Sequence, residues 1–124
     1  MPLKTRQGTE SVSKDGDSFS GPWGRIHYNP MQTVRFQKMD KWNSMTYSYP
    51  YRSLSRWKYC KSYSGEEITI QAVTDTVTIT GRNLEKFVEA LDQGKLDLVR
   101  EMGDESALSV SPTVVHSISV KEPS

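Results

Sequence analysis

The sequence predicts an α+β domain: a small antiparallel meander sheet of four to six strands with one helix packed on one face. Two observations predict it. Residues 33–80 alternate apolar and polar side chains in short runs broken by turn formers, the period-2 signature of half-buried strands. Residues 84–91 then switch to a 3.6-residue period, with Leu84, Phe87, Val88 and Leu91 on one stripe. One helix after a meander covers one sheet face, which is α+β architecture.

The strands follow in order. "TVRFQKM" sets Val34 and Phe36 against Arg35 and Gln37, and "DKWNS" turns the chain. "MTYSYPY" places Met45, Tyr47, Tyr49 and Tyr51 on one face. Pro50 lacks a ladder donor, so this strand lies at an edge or ends there. "SRWKYCKSY" opposes Trp57 and Tyr59 to Arg56, Lys58 and Cys60. "EITIQAV" and "VTIT" flank a tight "TDT" and form the strongest hairpin signal. Asn83 reads as the helix N-cap, and Gly94 as the left-handed residue that ends the helix. "KLDLVREM" fits strand or helix. The order of elements is that of a pleckstrin-homology-like roll, a likeness of shape that carries no function.

The flanks read differently. Residues 1–20 are rich in Gly, Ser and charge and are expected to be a disordered tail. Residues 21–32, "GPWGRIHYNPMQ", offer Trp23, Ile26 and Tyr28 as a docking hook or as a partner-binding motif. The folded domain is expected at 33–103, with 104–124 a flexible tail. "VVHSISV" within that tail could add an edge strand.

The net charge of +1 conceals a segregation. Residues 33–64 carry seven Lys/Arg against Asp40 alone, and residues 65–103 carry eight acids against four bases. The halves complement each other within one sheet, or the basic half faces an anionic partner. No apolar run approaches the roughly 18 residues that span a bilayer, so no membrane partner is expected. "MPLKTRQGTE" has no apolar core of a secretory signal. With Cys60 the lone cysteine, a cytoplasmic setting is expected.

Chemistry is sparse. Cys60, His27 and His116 are far apart along the chain, and a cysteine nucleophile needs a base within hydrogen-bond reach. Metal-ligand spacings and phosphate-cradling loops are missing, so no enzyme, metal or cofactor is expected. The start of the helix, with Arg82 beside it, is a weak anion candidate.

The remaining signal is "MTYSYPYRSLSRWKYCKSY", with five tyrosines, one tryptophan and four basic residues in positions 45–63. Period-2 sorting puts the rings on one face and the cations on the other, which weakens a base-stacking surface. Tyr, Trp and Arg also anchor protein interfaces. The sequence therefore points to a non-enzymatic protein-interaction or self-association module, a homodimer included, using Trp42, Tyr47, Tyr49, Tyr51 and Arg56. The alternative is weak single-stranded nucleic-acid binding through Arg52, Arg56, Lys58 and Lys61. Arg52, Lys58, Lys61 and Arg82 are the candidates for any anionic ligand.

Overall fold

Alternating side chains build nine strands and one helix in residues 18–102 and 112–122, the part of the chain that the computed structural model describes. The strands are β1 (Ser18–Gly21), β2 (Gly24–His27), β3 (Thr33–Met39), β4 (Ser44–Pro50), β5 (Leu54–Ser62), β6 (Gly65–Ala72) and β7 (Thr76–Arg82). The helix α1 (Glu85–Asp92) follows, then β8 (Leu96–Arg100) and β9 (Val114–Lys121). They form two sheets, ordered β1-β2-β8-β3-β4 and β5-β6-β7-β9. Neighbours run antiparallel except β3 and β8, which are parallel, with Phe36 beside Val99.

The α+β class with its single helix holds. The single meander becomes two sheets, and the helix is not the last element, as it is in a pleckstrin-homology-like roll, because β8 and β9 follow it. Residues 21–32 are not a loose motif. β2 pairs with β8, and Trp23 and Ile26 are buried. Ser18–Ser20 lie in β1, while the rest of the expected N-terminal tail is outside the described residues. The expected C-terminal tail is corrected more sharply: residues 114–121 pair with β7 from Thr76↔Lys121 to Arg82↔Val114.

One core fills the space between the sheets. Val34, Phe36, Leu96 and Val99 from the first sheet meet Ile68, Ile70, Val77, Ile79, Val115 and Ile118 from the second. Leu84, just before α1, and Phe87 and Leu91 within it complete the core, as the helical stripe predicts. Phe87 lies against Trp23 with ring centroids 5.4 Å apart, and the Lys86 ammonium sits 4.3 Å over the same indole. Gly94 ends the helix at φ 69°.

The sheets are stitched along one seam. Met102 N–H donates to the Val115 carbonyl at 2.9 Å. The Glu101 carboxylate accepts from Met39 N–H and from Ile118 N–H, each at 2.8 Å, and Lys38 Nζ donates to the Ile118 carbonyl. One side chain therefore satisfies backbone donors from both sheets. On the other side the chain itself joins them, through a 3-10 turn at Tyr51–Ser53.

Candidate interaction surface

The aromatic-basic stretch does not lie in one sheet. Its first half, β4, is the outer strand of the five-stranded sheet, and its second half, β5, is the outer strand of the four-stranded one. The 3-10 turn is the corner between them. Pro50 therefore stands at the end of an edge strand, as its missing donor requires.

The rings of β4, the corner and β5 turn inward, and Tyr63, in the turn beyond, is exposed. Tyr49 is buried, tilted 5.9 Å from Phe36, and its hydroxyl donates to Asp75 at 2.5 Å. Tyr51 donates to the Leu96 carbonyl at 2.7 Å, and the Trp57 indole donates to Asp92 at 2.7 Å. Tyr47 packs against the core margin. Desolvation, followed for Tyr49 by the Asp75 carboxylate and for Tyr51 by Asp97, holds both phenols above the ordinary tyrosine range. Of the five interface candidates, Tyr49 therefore belongs to the core, and Tyr47 and Tyr51 are half-buried. Only Trp42 and Arg56 are fully on the surface.

The anion candidates do not converge. Lys58 shares the outer face of the second sheet with Arg56, while Lys61 is three residues on, pairs with Glu66 and faces the other way. Arg52 is at the corner and Arg82 ends β7. The helix start is already served by the protein's own anion. Asn83 has φ 56° and is not the cap. Instead Glu66 reaches across from β6, accepting Asn83 N–H at 2.9 Å, Leu84 N–H at 2.8 Å and the Tyr59 hydroxyl at 2.8 Å. Sequence reading missed this cap because it comes from 17 residues away.

Burial alone would raise the Glu66 pKa, but those three hydrogen bonds and nearby Lys61 outweigh it and hold the carboxyl below its ordinary value. Desolvation and the bond to Glu66 push Tyr59 up to about 12. A depressed carboxyl adds stability above its unfolded pKa of about 4.3 and loses it as pH falls through the native value. Glu66→Gln should thus cost about 1–2 kcal/mol at neutral pH, an exposed-site discount included. Urea titrations at several pH values should show the gap closing below about pH 4. A gap that persists undiminished in acid would count against the charged cap.

Two further groupings appear only in three dimensions. A depression of about 310 Å³ on the second sheet is lined by Cys60, Glu67, Thr80 and His116 among others. Cys60 and His116 flank it from opposite edge strands, three strand spacings or ~14 Å apart along the sheet. On the first sheet Asp97, 1% exposed, accepts from Arg35 at 2.7 Å and Arg25 at 3.3 Å, with His27 Nε2 also at 3.3 Å. The pairing of β2 with β8 steps from Arg25↔Leu98 to Ile26↔Leu96, so Asp97 is the extra residue of a β-bulge. The bulge turns the carboxylate toward its basic neighbours.

Among the described residues the exposed large apolar side chains gather only at the β3–β4 hairpin, whereas Tyr28, Tyr63 and Val73 are exposed singly elsewhere. Trp42 is 85% exposed in the turn, flanked by Met39 at 46% and Met45 at 55%. Lys38 and Lys41 stand beside them. No helix among the described residues is long and apolar enough to cross a membrane, and no group of three or more His, Cys, Asp or Glu there could hold a metal ion. Comparisons with protein-family models, with curated proteins and with solved structures give no match.

Proposed function

We propose that this chain is a non-enzymatic protein-interaction module of the cytoplasm, anchored at the β3–β4 hairpin by Trp42. The observation that carries the reading is the isolation of that indole at 85% exposure beside two exposed methionines. The other two tryptophans have partners, Trp23 in the core and Trp57 on Asp92. A tryptophan can remove about 150–250 Å² from water when covered. Trp, Met and Arg are enriched where interfaces bury most deeply. The lone exposed thiol of Cys60 supports the cytoplasmic setting.

Trp42→Ala should weaken binding of a captured partner by ~30-fold, the effect of losing a hot spot worth about 2 kcal/mol, with no change in the melt. Affinity capture with the wild-type and substituted full chains, followed by titration of any recovered partner, makes the comparison. Equal affinity for both chains would remove Trp42 as the anchor. The nucleic-acid alternative has cations in Arg52, Arg56, Lys58 and Lys61. Trp57 and Tyr59, however, alternate away from Arg56 and Lys58, which leaves no stacking ring on that cationic face. Salt-sensitive anisotropy with short single-stranded oligonucleotides would revive it.

A further inference from the structure

We propose that the partner at this hairpin is a second copy of the chain, joined edge to edge through β4. The inference rests on the interaction-module reading and adds the occupant, the strand and the register.

Three of the four sheet edges are blunted in ways that folded proteins use against strand pairing. β1 is four residues long. β9 has the N–H and C=O of Ile118 occupied by Glu101 and Lys38. β5 carries Arg56, Lys58 and Lys61, shifts register between Leu54 and Arg56, and is tied to α1 through Trp57 and Asp92. β4 is blunted only at its last residue, Pro50. Its seven residues, "SMTYSYP", include no charge, and its pairing with β3 is unbroken from Thr33↔Pro50 to Met39↔Ser44.

The direction of its free groups follows from the ends of that ladder. Tyr51 N–H donates to the Gln32 carbonyl at 2.9 Å, and Asp40 N–H donates to the Asn43 carbonyl at 2.8 Å. Residues 43 and 51 thus face β3, and by alternation so do 45, 47 and 49. Ser44, Thr46 and Ser48 turn their N–H and C=O groups outward. Pro50 also falls in the outward set, where its missing N–H costs the ladder nothing.

Outward groups at even positions restrict a two-fold antiparallel pairing. Centred on Tyr47, it brings Thr46 opposite Ser48 of the second copy and Ser44 opposite Pro50. Each Thr46–Ser48 pair exchanges two hydrogen bonds and each Ser44 donates to a Pro50 carbonyl. The same register carries the hairpin turn of one copy past the Pro50 end of the other, which brings Trp42 toward the 3-10 corner where Arg52 is exposed and offers an indole–guanidinium pair. The two exposed groups at the ends of β4 thus become each other's partners.

Sedimentation velocity of the full chain from micromolar to millimolar loading should show a reversible species of twice the 14.1 kDa chain mass. Ser48→Pro should keep the monomer folded, because the N–H it removes points away from β3. It should weaken association by ~30-fold or more, through two lost hydrogen bonds at about fivefold each. In a Cys60→Ser background, Tyr47→Cys should form a covalent dimer on oxidation, since facing non-bonded residues lie about 4.5 Å apart at Cα. Val73→Cys in the same background should not. A wild-type chain monomeric at every loading would overturn the self-pairing, and so would a dimer indifferent to Ser48→Pro. Unfolding of Ser48→Pro would overturn the register. If Trp42-dependent capture of another protein survived any of these, the module reading would stand without the second copy.

Discussion

Gly24→Ala is expected to destabilise the fold by about 4 kcal/mol or more, in the range reserved for a few severe mechanisms. Two of them coincide here. Gly24 sits at φ +134°, a backbone conformation that L side chains rarely adopt, and a Cβ there would lie 1.9 Å from the Leu98 carbonyl oxygen. That oxygen is backbone of β8, the central strand of the first sheet, and has no flexible end to yield. The strand pair would have to separate, taking Trp23 and Ile26 out of the core. Hydrogen exchange should lose protection at Arg25 and at Arg100, whose N–H donates to the Trp23 carbonyl, while β6 and β7 keep theirs. Gly94→Ala is the matched control, with φ 69° and nothing within 4 Å of the added atom. It should cost only about 1 kcal/mol. Equal melts for the two substitutions would refute the close approach of β2 and β8.

Phe87→Ala should cost about 3–5 kcal/mol, against a typical total of 5–15. The ring is fully buried, is held by Trp23, and stands where α1 closes the space between the sheets. Removing it leaves a cavity lined by two sheets and a helix, none of which can collapse alone. Val88→Ala, one residue along and half-buried, should cost far less. Chemical denaturation of both variants checks the contrast, and a Phe87→Ala midpoint equal to the wild type would sink the packing claim.

The central strands and the helix were legible because their apolar spacing is uninterrupted. The misread segments share a physical reason. In "KLDLVREM" the inward residues are Leu96 and Val99, three apart, because Asp97 is an extra residue in the pairing. In "VVHSISV" the inward residues are Val115 and Ile118, also three apart, because the pairing steps from Gly81↔Val115 to Thr80↔Ser117 around His116. A β-bulge shifts the phase of the alternation, and a period-2 reading then sees ambiguity or a tail. The Asp97 cluster and the His116 side of the depression depend on those bulges, so they were invisible for the same reason. The tyrosines of β4, the corner and β5 lie on the inward face that alternation predicts, while Tyr63, in the turn after β5, is fully exposed. The number of rings the interior accepts was underestimated, because a second sheet lies where a single helix was expected.

The place of β8 in the middle of the first sheet has a consequence for how the protein is made. β2 and β3 are complete early in synthesis, yet the strand that belongs between them is encoded about 60 residues later, as Arg35↔Leu98 shows. Until then Val34 and Phe36 have no finished sheet to hold them. The β5-β6-β7 meander, built from neighbours in sequence, can assemble while the chain is still growing. Synthesis therefore runs ahead of folding at β2 and β3, and the long-range parallel pairing is expected to be the slow step. β8, made well after β2 and β3, is the strand that locks them together.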